Sequence, residues 1–452
     1  MLGQQFYENP KFQDFLSNNF VAFRADRDEK SGAELFKKFG IGATPTTMII
    51  DSDGTEYDWW IGYDPPPDNF QARIEKALSG VDTYKAISAA YAKNPKDVPT
   101  VFKLARKYAE RFDEEKAAQH YKEVIALDPQ GKAGTYTTEY TKVTVPYTEY
   151  AEFALAVDSR NIYGEKPNME PVRAFFKKYS DSKLTKEAYQ RMANYYAYSA
   201  PKEEAAKFFA EYTEKFPSDI WALDGWLSRI VRDKEPLDKG LELAAKLEEL
   251  TRENPIPRIN QDIANLYFLK DDKAKAKEVY GKEFMEGRRS MLSYDLISYA
   301  NFWVEKEANQ ESAVAMAETA LKLDPENAYF TQQVAYVYLK TGKEEKALAL
   351  FGPEYARKKV GDDRALYSYT NFWSRQGKNL ESALEAAKKI VEKKPGTFYY
   401  WSVLGDIYLK MKNYPEALKA TEKAYELAEE YAKKSLAQKL EKIKVAQAEE
   451  KK

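Results

Sequence analysis

The chain has 452 residues and a mass of 52.0 kDa, room for about three ordinary domains or one long array of repeats. Lys and Arg total 70 against 72 Asp and Glu, a net charge of -2, so no overall excess of charge draws the chain to nucleic acid or to an anionic membrane. The absence of Cys and the single histidine, His120, exclude disulfides, cysteine nucleophiles and zinc sites built from Cys and His.

Apolar residues make up 44% of the chain and charged residues 31%, a balance that predicts a folded, soluble protein. No run approaches the roughly 20 apolar residues of a membrane-spanning helix. The opening MLGQQFYENPKFQDF is polar from residue 3 onward and does not read as a signal peptide. No cofactor and no metal is expected. A Gly-rich phosphate loop is missing, and Asp51-Ser52-Asp53-Gly54 lacks the full calcium-loop spacing, so it reads as a turn.

Residues 1–80 read as mixed α and β. A helix carries Gln4–Phe15, and Phe20-Val21-Ala22-Phe23 follows as a strand-like run. A helical pattern spans 31–39, with Leu35 and Phe36 apolar and Gly40 just past its end. Thr46–Ile50 reads as a strand, Asp51-Ser52-Asp53-Gly54 as a hairpin turn and Glu56–Ile61 as the returning strand. Pro65-Pro66-Pro67 makes a rigid entry to a helix over 68–79, which Gly80 ends. The predicted order is helix, strand, helix, strand, strand, helix.

Residues 81–433 read as almost all helix and repeat themselves. Ser298-Tyr299-Ala300-Asn301-Phe302-Trp303 recurs as Ser368-Tyr369-Thr370-Asn371-Phe372-Trp373, an offset of 70. The same offset maps Glu311-Ser312-Ala313 onto Glu381-Ser382-Ala383 and Pro325 onto Pro395. Matches sustained at one offset indicate a duplicated unit that divides into two helix-turn-helix halves of about 35 residues. Gly131–Tyr147, rich in Thr, Tyr and Val, predicts a loop or short hairpin inserted among the helices. Residues 434–452 read as a charged capping helix, and charge runs such as Lys202-Glu203-Glu204 as solvated helix faces.

The halves resemble tetratricopeptide repeats. Residues 98–131 carry the pattern in Leu104, Ala105, Tyr108, Ala117, Tyr121 and Pro129, and residues 398–431 in Trp401, Leu404, Gly405, Tyr408, Ala417 and Ala424. Further matches start near 186, 257, 292, 327 and 363, with Trp303 and Trp373 standing at the usual Tyr position, and degenerate units cover 148–182 and 220–255. About nine repeats result. One helix pair cannot bury its apolar face alone, so stacking into a helical solenoid is obligatory.

The resemblance implies a concave groove that binds a protein or an extended peptide. It places Asn194, Asn265, Asn301 and Asn371 at a groove-facing position two residues before the aromatic anchor of each first helix, with Arg106, Tyr336 and Asp406 at the equivalent position elsewhere. Asn there can donate to and accept from a peptide backbone without needing charge. The competing reading is that these residues hydrogen-bond neighbouring helices and shape the superhelix. Tyr195, Tyr299, Tyr369, Tyr399 and Tyr400 adjoin these positions and suit an interface as amphipathic rings with few torsions.

Residues 5–80 resemble the rear portion of a thioredoxin-like domain, in Asn19–Asp26, Phe39–Thr46, Ile50–Gly54 and Ile61-Gly62-Tyr63. The resemblance makes the Thr44-Pro45 step a cis candidate and places it beside a redox Cys pair in that family. There the Cys-x-x-Cys falls just before the helix carrying Gln4–Phe15, where this sequence has only Met1 to Gly3. The strand preceding it is missing too, which leaves 20–25 and 46–50 each with an unpaired edge.

The expected fold is therefore mainly α: a solenoid of tetratricopeptide-like repeats behind a small incomplete α/β thioredoxin-like domain. The expected function is a protein- or peptide-binding scaffold or adaptor, with no catalysis by the chain as given and no membrane insertion. Thr44 and Pro45 could still hold an extended peptide. The alternative is a fragment of a thiol–disulfide oxidoreductase whose Cys pair lies upstream of Met1, and a third reading is a structural assembly subunit. A true start at Met1 implies the cytoplasm; a truncated start implies an exported, bacterial protein. The oligomeric state is left open.

Overall fold

A computed structural model describes residues 10–27, 30–62, 67–139, 141–163, 168–286 and 292–450. The chain forms two compact units, Met1–Arg229 and Ile230–Lys452, whose boundary falls inside the helix Ile220–Asp233.

In the first unit, β1 (Thr46–Ile50) and β2 (Glu56–Ile61) pair antiparallel, Thr46 opposite Ile61 and Met48 opposite Trp59. The predicted turn joins them. Asp51 N–H donates to Thr55 O at 2.9 Å, the Asp53 carboxylate accepts the Thr55 N–H at 2.9 Å, and Gly54 takes the positive φ of 84° that the turn requires. Trp60 packs edge-on against Phe70 in a small core with Phe12 and Ile74, contributed by the helices Pro10–Asn19 and Pro67–Leu78. The helix Lys30–Lys38 ends just before Gly40, as expected. Residues 4–9 of the predicted first helix, together with Pro65, Pro66, Lys451 and Lys452, lie outside the described residues.

One expectation fails. Phe20–Phe23 is not a strand; Val21 is 97% and Phe23 67% exposed. A strand exists only through its ladder of inter-strand hydrogen bonds, and among the described residues no strand lies alongside this run.

Polar groups of β2 fasten it to the helices that follow. Glu56 pairs with Arg111 at 2.8 Å and Asp58 with Lys107 at 2.7 Å, while Asp58 also accepts the Tyr84 N–H at 3.2 Å. The Arg111 guanidinium lies 3.9 Å over the Trp59 ring, a stacking that Arg makes better than Lys.

Helix pairs then succeed one another. In Val98–Glu110 and Glu114–Leu127 the side chains of Asp97 and Asp113 accept from Thr100 and Lys116 N–H groups and cap the two N-termini. Ala105 and Ala117 are buried where the pair approaches closely. His120 is a core histidine, stacked 5.5 Å from Tyr108 and bonded to Glu123 at 3.0 Å. The insert forms a hairpin, β3 (Thr135–Thr137) against β4 (Thr144–Pro146), with Tyr136 opposite Val145. After it come Tyr147–Ala156 with Ser159–Tyr163 and Glu170–Lys178, then the pair Thr185–Tyr198 and Lys202–Lys215.

In the second unit Leu237–Leu250 precedes five first helices, Pro257–Leu269, Ser293–Glu305, Ala328–Lys340, Asp363–Gln376 and Phe398–Lys410. Their partners take two forms. Gln310–Leu323, Leu380–Lys393 and Tyr414–Leu427 are continuous. The other two break, into Lys273–Val279 with Lys282–Glu286 and into Glu344–Phe351 with Pro353–Lys358. Each break leaves one carbonyl for the next repeat: the Trp303 indole N–H donates to Tyr280 O at 2.9 Å and that of Trp373 to Phe351 O at 2.7 Å. A polar network recurs with it. Asn309 donates to Tyr299 Oη, itself 2.7 Å from Ser312 Oγ, and Asn379, Tyr369 and Ser382 repeat the arrangement. Asn309 and Asn379 hold left-handed φ of 49° and 50°, a conformation Asn tolerates. The duplication seen in the sequence is thus a duplication of buried hydrogen bonds.

The helix Glu430–Glu450 follows the fifth pair and buries Leu436 and Ile443.

Candidate ligand-binding face of the repeats

Asn265, Asn301, Tyr336, Asn371 and Asp406 occupy one position on the five first helices of the second unit, spaced by 36 residues and then 35. Residues seven apart lie on one face of a helix. Arg258, Tyr294, Tyr329, Arg364 and Tyr399 therefore share that face, one per repeat. All five residues of the first row are half-buried. Tyr294 and Tyr329, 50% and 45% exposed, stack across adjacent repeats with centroids 5.7 Å apart, and Tyr367 meets Tyr399 edge-on at 5.2 Å. The face is thus a ladder of amides and phenols, with Arg258 and Arg364 exposed on it and Asp406 at its C-terminal end.

Two members of the row reach a neighbouring helix. Asn301 Nδ2 donates to Gln333 Oε1 at 2.8 Å, and its Oδ1 is buried with no partner among the described residues. Asp406 pairs at 2.6 Å with Lys439 of the last helix, whose ammonium also donates to Ser402 O and Oγ. Burial pushes the Lys439 ammonium below its usual range, against the pull of Asp406. Asp406 is therefore tied to the terminal helix while its side chain stays 44% exposed, and Asn265, Tyr336 and Asn371 are likewise part-open. Of the tyrosines expected beside the row, Tyr299 and Tyr369 are fully buried and Tyr400 nearly so. Tyr299 and Tyr369 belong to the core because two residues along a helix is about 200° round it, and Tyr400 because it lies about 100° round from Tyr399. Tyr195 and Tyr399 are half-buried.

The first unit carries the same position differently. Arg106 donates to Tyr150 Oη at 3.0 Å and to Glu139 at 3.2 Å, and lies 5.2 Å over the Tyr136 ring. Burial raises the Glu110 carboxyl, 3.7 Å from Arg106, against the pull of that guanidinium. Tyr136 of β3 packs on Phe102 at 5.2 Å and on Tyr150 at 4.6 Å. Past β3, Thr141 donates to Glu187 at 3.1 Å, and Glu187 lies seven residues before the exposed Asn194 on the same helix face. The hairpin therefore covers this face over the helices Val98–Glu110 and Tyr147–Ala156 and reaches the first turn of Thr185–Tyr198 at Glu187. Tyr136, Glu139 and Glu187 escaped the sequence reading, because an insert's composition predicts a hairpin but not what it lies on.

The hairpin's base is held by Asp128, whose carboxylate accepts the N–H groups of Ala133 at 2.8 Å and Lys132 at 2.9 Å. The Ala133 bond foremost, with that of Lys132, holds this carboxyl below its ordinary 3.8 against the effect of burial. A carboxyl depressed on folding stabilises fully above its unfolded pKa and loses that contribution as pH falls through the lower folded value. Acidification below about pH 4 is thus expected to loosen the hairpin base. The protection of the Ala133 amide, taken relative to its intrinsic exchange rate at each pH, should fall across that range in the native chain, and the step should be missing in Asp128→Asn.

The Thr44–Pro45 bond is cis and both residues are exposed; Pro45 O accepts the Gly62 N–H at 2.9 Å. Among the described residues, no group of three or more His, Asp or Glu is placed to hold a metal, and no helix is long and apolar enough to cross a membrane.

These features define a helical-repeat protein with a thioredoxin-like domain at its N-terminus. Residues 1–78 match the thioredoxin-like domain, residues 398–431 the tetratricopeptide repeat, and residues 223–352 the ChAPs (Chs5p-Arf1p-binding proteins). No curated protein matches the chain. Among solved structures, the chain is similar to a tetratricopeptide repeat protein from Parabacteroides merdae, at 13% identity and a TM-score of 0.37 over 65% of this chain and 98% of that one. It is also similar to YrrB, a tetratricopeptide repeat protein with an unusual peptide-binding site, at 18% identity and a TM-score of 0.24 over 51% and 98%. A third is the Cut9–Hcn1 hetero-tetramer of the APC/C, at 10% identity and a TM-score of 0.30 over 76% of each chain.

Proposed function

We propose that the chain is a scaffold that binds a protein or an extended peptide on the first-helix face of Ile230–Lys452. The observation that carries this is the row of Asn265, Tyr336 and Asn371 flanked by Tyr294, Tyr329 and Tyr399, part-open at a constant register. Amides supply both donors and acceptors to a peptide backbone. Tyrosines supply contact area at a small cost in side-chain entropy. Packed helices hold both in place before the ligand arrives, so most of the ordering cost falls on the ligand. Binding is favoured over thiol–disulfide exchange, which needs a thiolate that a sequence with no Cys does not supply. Asn301 fits better as a brace between repeats than as a ligand contact, given its bond to Gln333.

The test is selection of short peptides from a displayed random library, followed by titration of the best binder. Asn265→Ala with Asn371→Ala and Tyr329→Ala is expected to weaken that peptide about tenfold or more, equivalent to about 1.4 kcal/mol. An unchanged affinity in a variant with native helicity would reject the face as the site.

A further inference from the structure

The first unit presents the same first-helix face, but its own hairpin lies across it. The contacts are those a bound strand would make. Tyr136 sits in a socket of Phe102, Arg106 and Tyr150. Glu139 takes the second arm of the Arg106 guanidinium, and Thr141 reaches Glu187 two first helices further on. Arg106 stands at the register position that Asn265 and Asn371 hold elsewhere.

We infer that the β3–β4 hairpin is an internal occupant of the ligand face in the first unit, and that the vacated socket takes an extended peptide bearing a tyrosine and, three residues on, a carboxylate. The inference rests on the reading of the first-helix face as the ligand surface. Three features support it. The strand pair satisfies its own backbone through Tyr136 and Val145, and the helices are met by the side chains of Tyr136, Glu139 and Thr141 and by the buried Val145. The ion pair is weakly committed on the hairpin's side, since the Glu139 side chain is 61% exposed while that of Arg106 is 19% exposed; exposed pairs contribute little to holding a fold. The insert's two ends also adjoin: Tyr147 N–H donates to Gly134 O at 3.1 Å, and a Cβ on Gly131 would lie 3.0 Å from Pro146 Cβ. The helices it separates therefore need no long connection to stay in register.

A tethered segment competes at an effective concentration on the order of millimolar. The intact chain should accordingly bind a free copy of the hairpin poorly, and removal of the hairpin should unmask the socket.

The experiment replaces Lys132–Pro146 by a short Gly/Ser linker and titrates a dye-labelled synthetic peptide with the sequence of Gly134–Tyr147. The peptide is expected to bind the excised chain about tenfold or more tighter than the intact chain, with hydrogen-exchange protection at Phe102–Arg106, and Arg106→Ala in the excised chain should remove that gain. A cooperatively melting excised chain that does not bind the peptide, or an intact chain that binds it equally well, overturns the inference. So does protection confined to the Asn265–Asn371 row, an outcome that leaves the proposed function of the second unit standing.

Should the excised chain fail to fold, the intact chain with Glu139→Ala and Thr141→Ala serves instead. Its Tyr136 and Val145 amides are expected to exchange faster than in the native chain, and faster again with added peptide, while the amides of Val101–Tyr108 stay protected. Exchange indifferent to the peptide in this variant likewise overturns the inference.

Discussion

Trp303→Ala is expected to destabilise the second unit by about 3–5 kcal/mol, in the range for truncating a buried indole. Two losses combine. Trp303 is 1% exposed and packs against Phe268, Tyr299 and Phe302, so its removal leaves a cavity lined by rings that cannot close over it. The Tyr280 carbonyl also loses its donor. Trp303→Phe separates the two effects: most of the packing stays and the buried carbonyl is orphaned, at a cost of about 1–3 kcal/mol. Trp373→Ala and Trp373→Phe should reproduce both values, because Trp373 makes the same bond to Phe351 O. Urea unfolding followed by far-ultraviolet circular dichroism gives the comparison. Equal stability of the Phe variants and the native chain would show that the indole bond contributes nothing.

Gly352→Ala is the second large effect. A Cβ on Gly352 would lie 2.1 Å from Leu348 O, and one on Gly281 would lie 2.0 Å from Lys277 O. Both contacts are with backbone, so relief requires the helix break itself to shift. The expected cost is about 1–3 kcal/mol or more, the range for overpacking. The break and the indole bond are one device, so the Gly352→Ala and Trp373→Phe costs should fall short of additive when combined. Additivity within about 0.5 kcal/mol, the behaviour of independent sites, would show that the break does not serve the bond.

The helix pairs are legible in the sequence because their requirements are local. Ala105, Ala117 and Gly405 stand where helices must touch, the aromatic anchors recur at fixed spacing, and the offset of 70 announces the duplicated pair. The offset also reaches Asn309 and Asn379, whose importance becomes plain only when their amides are seen on the Tyr299 and Tyr369 hydroxyls. The rest depended on partners distant in the chain. Phe20–Phe23 has the composition of a strand, but composition cannot supply the neighbouring strand that makes it one. The buried Tyr299 and Tyr369 could have been separated from the face by helical geometry, since they lie two positions from Asn301 and Asn371. The roles of Arg106 and Asn301 could not, because what they meet, Tyr136 with Glu139 and Gln333, is fixed by packing between segments some 30 residues apart.

The seat of the last helix has a consequence for self-association. A stack of like units presents at its end the surface that each unit offers the next, and such an end invites a second copy to continue the series into an open filament. Here Lys439 inserts against Ser402 and Asp406, and Ile443 is fully buried. What Glu430–Glu450 turns outward is mostly Lys, Glu and Gln, with Tyr431 and Val445 exposed among them, so head-to-tail growth over this face would have to strip many charged groups of water for a small apolar return. The helix is therefore expected to oppose head-to-tail polymerisation over the face it covers.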